Sequence, residues 1–195
     1  MNMRLFKKIL ITGALVFLLS SPAQAVESGF GLFGGLTNYA SEGEFKVAPL
    51  TGVGYGFKSS GISFGFDYQF PIFDLISINP FYMSSHETFS RVSGPFPQTG
   101  EGQNVILGVQ GRLWFGSLYV GAHTGIYGQI IRFDTGDAGW AGNGFGVAAG
   151  YETDFGFFVN GQIDSANMES KDEATGIITA DMKLSGMRMH AGYRF

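Results

Sequence analysis

Apolar and polar residues alternate along most of the chain. In residues 61–70, Ile62 and Phe64 lie on one face of an extended segment, whereas Ser63 and Asp67 lie on the other. The same period of two recurs in residues 104–115, 118–130, 144–151 and 187–195. Because successive side chains of a β-strand point to opposite faces, this pattern predicts strands with one apolar face.

The alternating segments and the turn residues between them predict eight strands. We place these at residues 28–39, 50–70, 75–89, 103–115, 118–132, 143–152, 155–166 and 180–195. Short turns are predicted near residues 71–74, 116–117 and 152–154, and longer connections at 40–49, 90–103, 133–142 and 167–179. Alternation of short and long connections is typical of transmembrane β-barrels, whose two ends face different compartments.

The second predicted strand contains an irregularity. Val53, Tyr55 and Phe57 occupy odd positions, whereas the apolar residues from Ile62 onward occupy even positions. If apolar residues all lie on one face, residues 58–61 hold a β-bulge or a turn. A turn would make residues 51–57 an additional hairpin arm and would change the strand count.

Two architectures produce this alternation, a soluble β-sandwich or barrel and a transmembrane β-barrel. The face opposite the apolar one is rich in glycine, which suits a narrow barrel interior. In a membrane the apolar face contacts lipid, and the sheet must close so that every backbone group is satisfied. We therefore predict an all-β, eight-stranded antiparallel transmembrane barrel with up-and-down topology, and the soluble barrel is the alternative.

The N-terminus has the three parts of a signal peptide. Residues 1–8 are basic, residues 9–19 are apolar, and Ala23 and Ala25 give the small-x-small pattern of a cleavage site. Eleven apolar residues rise only about 16 Å as a helix, too little to span a bilayer. We predict that residues 1–25 are a cleaved signal peptide and that residues 26–195 form the barrel domain; the alternative is a retained anchor.

Composition and charge exclude several classes of protein. The chain has a formal net charge of −4 with no basic tract, which argues against a nucleic-acid partner because phosphate binding needs Lys and Arg. It has no cysteine, so it has neither a disulfide framework nor a thiolate metal site. The chain has 31 glycines and 14% charged residues, and this composition disfavours an ordinary helical enzyme.

Aromatic residues cluster near the predicted turns. These clusters are Phe70 with Phe73, Trp114 and Phe115 with Tyr119, Tyr151 with Phe155, and Tyr193 with Phe195. Amphipathic rings prefer the membrane interface, so the clusters predict an aromatic girdle. Aromatic packing at the ends of a sandwich is the alternative.

The last strand carries a resemblance to a known group. It ends in Phe195, with Tyr193 two and Ala191 four positions earlier. It resembles the closing strand of the small outer-membrane barrels of the OmpX/Ail group and of the OmpA barrel domain, and the hairpins 108–129 and 144–164 are similar in pattern. The resemblance implies a non-enzymatic eight-stranded barrel. Some members of the group mediate adhesion or resistance to host defences. The resemblance also implies that the strand ending in Phe195 is the signal for the outer-membrane assembly machinery.

Strand parity predicts which polar side chains fill the barrel interior. They are Asp67, Gln69, Gln110, Arg112, His123, Tyr127, Gln129, Gln162, Asp164, Arg188, His190 and Arg194. Eight strands enclose only enough room for their own side chains, and opposite charges there must pair. We expect a plug of ion pairs and hydrogen bonds. A conducting path or ligand cavity is the alternative, supported by interior glycines at positions 121, 125, 144, 146 and 150.

Ser84, His86 and Glu87 are a Ser, a His and a carboxylate, the residue types that some outer-membrane lipid A esterases use for catalysis. A lipid A-modifying enzyme is therefore a third, less favoured function. Strand neighbours two residues apart stand about 7 Å from each other, too far for a nucleophile and its base. Glu87 points to the opposite face and cannot orient His86. We therefore predict no catalytic residues and no enzymatic activity.

Two acidic segments contain carboxylates, the ligands that calcium and magnesium prefer. Residues 134–139 resemble a calcium turn but lack the third ligand position and the distal Glu of an EF-hand, so we predict a solvated loop. Glu169, Lys171, Asp172 and Glu173 form a second acidic loop, where divalent cations could bridge to lipopolysaccharide phosphates. We predict no metal site, no cofactor-binding residues and no cofactor.

The predicted role is that of a Gram-negative outer-membrane protein with a structural or surface-interaction function. Expected partners are outer-membrane lipid and lipopolysaccharide, the assembly machinery through the strand ending in Phe195, and an extracellular ligand through the loops; we expect a monomer. A narrow porin-like channel for small or hydrophobic solutes is the alternative function.

Overall fold

The computed structural model describes residues 26–171 and 178–195, which form eight antiparallel strands. The strands are β1 (Gly29–Phe45), β2 (Gly54–Phe73), β3 (Ile76–Ser93), β4 (Thr99–Phe115), β5 (Leu118–Phe133), β6 (Gly136–Glu152), β7 (Phe157–Lys171) and β8 (Ile178–Arg194). The predicted signal peptide, residues 1–25, and Asp172 and Glu173 of the second acidic loop lie outside the described residues.

The sheet closes on itself. Each strand pairs with its sequence neighbours, and β1 also pairs with β8 from Gly31 opposite Arg194 to Phe45 opposite Ala180. Closure satisfies the ladder hydrogen bonds of both sides of every strand, which a lipid environment requires. The predicted fold class, an all-β eight-stranded antiparallel barrel, is confirmed.

The outside of the barrel is apolar and its inside is largely polar. On β2, Ile62 and Phe64 are 68% and 63% exposed, whereas Ser63 and Asp67 are each 1% exposed. A soluble barrel would bury its apolar face and solvate its polar one, so the alternation here belongs to a barrel surrounded by lipid. Within the described part of the chain, no helix is long and apolar enough to cross a membrane.

The two ends of the barrel differ in their connections. The turn end carries the connections 74–75, 116–117 and 153–156, and Gly116 supplies the positive φ of 63° that the second of these requires. The loop end carries the connections 46–53, 94–98 and 134–135. The short turns are confirmed, but the predicted long connections were too long. The strands extend through residues 40–45, 90–93, 99–103 and 136–142, because inward side chains pack inside the barrel at these levels.

The predicted bulge or turn at residues 58–61 was wrong. β2 pairs with β1 without interruption from Gly54 to Gln69. Tyr55 and Phe57 are 2% and 1% exposed and point into the barrel, so odd positions are inward from Tyr55 to Gln69. Toward the loop end, apolar residues occupy the inward positions, while the backbone of residues 58–61 continues without a bulge.

The aromatic girdle at the turn end is confirmed for the outward rings and corrected for two residues. Phe73, Phe155 and Phe195 are exposed on the outer surface. Trp114 and Tyr119 are 5% and 1% exposed, lie inside the barrel and pack against each other at 4.8 Å between ring centroids. Both residues occupy inward positions of their strands. This parity, and not proximity to a turn, determines on which face of the sheet a side chain lies.

Candidate functional site

The interior of the barrel holds the polar residues that strand parity predicted. All are less than one-tenth exposed: Asp67, Gln69, Gln110, Arg112, His123, Tyr127, Gln129, Gln162, Asp164, Arg188, His190 and Arg194. Two ionic clusters organise these side chains, one near the turn end and one near the middle of the barrel.

The first, the turn-end cluster, joins β2, β4, β6 and β8. Asp67 accepts hydrogen bonds from Arg112 at 2.6 Å and from Arg194 at 2.9 Å. Arg194 also bonds Glu152 at 3.0 Å. Two carboxylates and two guanidiniums therefore neutralise each other, as buried charges must.

Amides extend the turn-end cluster sideways. Gln69 Oε1 accepts from Arg112 at 3.2 Å and from Asn79 at 3.1 Å. Gln110 Oε1 accepts from Arg112 Nε at 2.8 Å. The Arg112 guanidinium also lies 4.7 Å from the ring centroid of Tyr119, a cation–π distance. These contacts hold the side chains in one arrangement across the lumen.

The second, the central cluster, is built around Asp164 of β7. Its carboxylate oxygens lie 2.7 Å from Arg188 Nε and 2.7 Å from His123 Nε2. The hydroxyls of Tyr127 and Tyr39 donate to the same carboxylate at 2.9 and 3.0 Å. One carboxylate thus ties β7 to β1, β5 and β8 through the centre of the barrel.

A further buried carboxylate, Glu87, has different surroundings. It is 0% exposed and accepts hydrogen bonds from the hydroxyls of Ser59 and Ser85. Within residues 26–171 and 178–195, no Lys, Arg or His forms a salt bridge with it. Glu87 is therefore held by neutral donors, unlike Asp67 and Asp164.

An aromatic cluster closes the interior at the loop end, and the sequence reasoning missed it. Phe96, in the connection 94–98, lies 5.2–6.2 Å between ring centroids from its neighbours Phe45, Tyr55, Phe57, Phe133 and Trp140. Arg91 Nη1 donates to the backbone carbonyls of Gly94 and Phe96, which fixes this connection over the opening. The signal was present in Tyr55 and Phe57, which share the odd parity of Asp67.

Three of the five interior glycines, those on β6, make room for rings, whereas a Cβ at Gly121 or Gly125 would collide mainly with the backbone of β4. A Cβ at Gly144, Gly146 or Gly150 would collide with the side chains of Tyr127, His123 and Tyr119 respectively. Each of these glycines lies on β6 and faces a ring donated by β5. The glycine-rich inner face therefore supports a filled lumen, and this removes the main sequence argument for a channel.

The possible catalytic residues do not come together. Glu87 lies inside the barrel, whereas His86 is exposed on the outer face. Ser84 Oγ accepts a hydrogen bond from Gln103 Nε2 at 2.6 Å on that outer face. Glu87 therefore has no route to orient His86.

Residues 134–139 do not form a separate loop. Residues 134–135 are the connection, and β6 begins at Gly136. In the part of the chain that the structure describes, no group of three or more His, Cys, Asp or Glu is arranged to hold a metal ion.

Ionic contacts also occur on the outer surface at the loop end. Lys46 Nζ lies 2.9 Å from Asp181 and 3.1 Å from Glu44. Two hydrogen bonds raise the pKa of Lys46 above its usual value, and the bond to Asp181 has a larger effect than the bond to Glu44. These exposed pairs hold the start of the connection 46–53 against β8 but add little stability.

Comparison with known proteins agrees with the fold. No family model and no curated protein sequence matches the chain. The structure is similar to that of OprG from Pseudomonas aeruginosa, with a TM-score of 0.55 and 12% identity over 89% of this chain and 98% of OprG. It is also similar to Ail of Yersinia pestis, solved with the heparin analogue sucrose octasulfate, with a TM-score of 0.50 and 13% identity over 87% of this chain and 100% of Ail.

A third similar structure is AlkL, determined by solid-state NMR in lipid bilayers, with a TM-score of 0.50 and 13% identity over 88% of this chain and 93% of AlkL. At these identities the comparisons define a fold, that of small outer-membrane β-barrels. The resemblance of the last strand to the OmpX/Ail group is confirmed at that level.

Proposed function

We propose that this chain is a Gram-negative outer-membrane protein, exported after cleavage of residues 1–25, with a structural or surface-interaction role. The barrel is the membrane anchor and the loop end is the contact surface. The observation that carries this proposal is the filling of the interior by side chains that bond across the lumen.

The filling occurs at successive depths. The turn-end cluster joins β2, β4, β6 and β8 through Asp67 and Arg194, and the central cluster joins β1, β5, β7 and β8 through Asp164. The aromatic cluster around Phe96 covers the loop end. An eight-stranded barrel has little room beyond its own side chains, so this arrangement supports an anchor.

The partners follow from this orientation. With the turn end in the periplasm, the loop end projects beyond the lipid and presents the charged residues Glu44, Lys46 and Asp181 to lipopolysaccharide or to an extracellular ligand. The strand ending in Phe195 is the element that the assembly machinery would recognise. The barrel would act as a monomer and without a cofactor, and we assign it no enzymatic activity.

Single-channel conductance in a planar bilayer tests the anchor role. Folded protein should give no reproducible conductance steps, because the ionic clusters cross the lumen. Heat-modifiable migration on gels verifies folding in the same preparation. Reproducible steps from folded protein would refute the sealed barrel and favour the porin-like alternative.

A hydrophobic-solute site is the second candidate function. Beside the polar group of Glu87, the interior below the aromatic cluster contains fully buried apolar side chains, with Met83, Ile131 and Leu184 each 0–1% exposed. A photoreactive alkyl diazirine distinguishes the two functions. Labelling of Met83 would support solute entry, whereas labelling confined to outward residues such as Phe145 would support the sealed anchor.

A further inference from the structure

A cavity of about 360 Å³ opens at the turn end of the barrel. Its walls are the connections 116–117 and 153–156, the segment 26–28 and the ends of β6 and β8. This volume lies within the range of small-molecule sites in proteins. The loop-end contacts do not use this cavity, and the turn-end cluster forms its inner wall through Gln69, Glu152 and Arg194.

The polar groups of this cavity are fixed by their neighbours. Arg194 Nε donates to Glu152 Oε1 at 3.0 Å, and Gln69 Nε2 donates to the carbonyl of Glu27 at 3.0 Å. The indole nitrogen of Trp114 donates to Ser77 Oγ at 3.0 Å. The cavity is therefore preorganised, which lowers the entropic cost of binding.

One carboxylate oxygen of the cavity lacks a donor. Glu152 Oε2 is buried and has no hydrogen-bond partner within residues 26–171 and 178–195. A carboxylate accepts hydrogen bonds on both oxygens, and a buried acceptor without a donor is costly. Oε2 is closed to solvent in this arrangement, so a donor in the cavity would complete it after a small rotation of the carboxylate.

Charge and shape select the kind of donor. Glu27, Glu152 and Asp154 line the cavity. The cations there are Arg194, which also bonds Asp67 at 2.9 Å, and, after the proposed cleavage, the amino group of Val26. The lining therefore carries an excess of carboxylates. Trp114, Phe155 and Tyr193 add aromatic walls that would cover a short alkyl group.

We propose that this cavity binds a small organic cation. The ammonium group would donate to Oε2 of Glu152, and its alkyl part would lie against Trp114. Such a site is independent of loop contacts and of transport, since the turn-end cluster separates it from the rest of the lumen.

Trp114 supplies the readout for a binding test. The chain has two tryptophans, so Trp140→Phe leaves Trp114 as the single fluorophore. The folded variant, comprising residues 26–195, is titrated in detergent micelles with n-butylammonium chloride, and in parallel with n-butanol and with sodium chloride. We expect a saturable change in Trp114 emission with n-butylammonium alone.

Substitution of Glu152 tests the assigned partner. In the same background, Glu152→Gln should weaken n-butylammonium binding at least about tenfold, because it removes the charged acceptor. Glu44→Gln removes one carboxylate at the loop end and should leave the affinity unchanged. Ser28→Tyr, which narrows the cavity without touching Glu152, should also weaken binding and covers the case in which Glu152→Gln fails to fold.

Three results would overturn the proposal. A response to n-butanol equal to that of n-butylammonium would show an apolar pocket without cation selectivity. A change that does not saturate would show that the cation occupies no discrete site in this cavity. Equal affinity in folded Glu152→Gln, or in Ser28→Tyr, would show that the cation binds elsewhere.

Discussion

The turn half and the loop half of the barrel interior are built from the same inward strand positions but are held by different chemistry. In the turn half and the middle, carboxylates bond guanidiniums, as Asp67 does with Arg112 and Asp164 with Arg188. In the loop half, rings and aliphatic side chains pack around Phe57 and Phe96, and the one described interior carboxylate there, Glu87, bonds serine hydroxyls. Alternation therefore determines which residues are inside, whereas depth along the barrel decides whether ion pairs or packed rings hold them together.

The largest expected effect is the loss of a guanidinium from the central cluster. Arg188→Ala leaves the Asp164 carboxylate buried without its main cation, and breaking such a pair costs about 3–5 kcal/mol. We expect the free energy of unfolding in urea to fall by that amount. The control, Lys183→Ala, removes an exposed charge from the same strand and should change the free energy by less than about 0.5 kcal/mol. Equal changes in both variants would contradict a structural role for the central cluster.

A smaller effect is expected in the loop half. Phe96→Ala removes ring contacts to several aromatic neighbours, each pair worth about 0.5–1.5 kcal/mol, from a half-buried position. We expect a loss of about 1–2 kcal/mol in the free energy of unfolding and faster proteolysis within the connection 94–98. The control is Val92→Ala, which trims an outward side chain at the end of β3. Unchanged proteolysis in Phe96→Ala would show that the aromatic cluster does not hold this connection.

The smallest effect is expected at Glu87. Glu87→Gln keeps an acceptor and adds a donor beside Ser59 and Ser85, and it breaks no salt bridge of the described residues. The free energy of unfolding should change by less than about 1 kcal/mol. A loss as large as that of Arg188→Ala would mean that the charge of Glu87 is matched by a cation, and the contrast between the two halves would disappear.

The residues that were predicted well are those governed by local geometry. The period of two placed Asp67, Arg112 and Asp164 inside the barrel because neighbouring side chains of a strand always point to opposite faces. Tyr55 and Phe57 obey the same rule, since their odd parity matches that of Asp67 and places them inside. The prediction of a bulge at residues 58–61 is wrong because it requires every apolar residue to lie outside.

The sequence by itself determined the strands, the short turns and the two faces of the barrel, because period and turn chemistry act between residues close in the chain. Tertiary structure alone decided that Asp67 would bond both Arg112 and Arg194, and that Phe96 would cover the loop end. These contacts join residues far apart in the chain and depend on the register and closure of the whole sheet. Tertiary structure also decided the lengths of the strands, since packing inside the barrel extends them into segments whose residues favour turns.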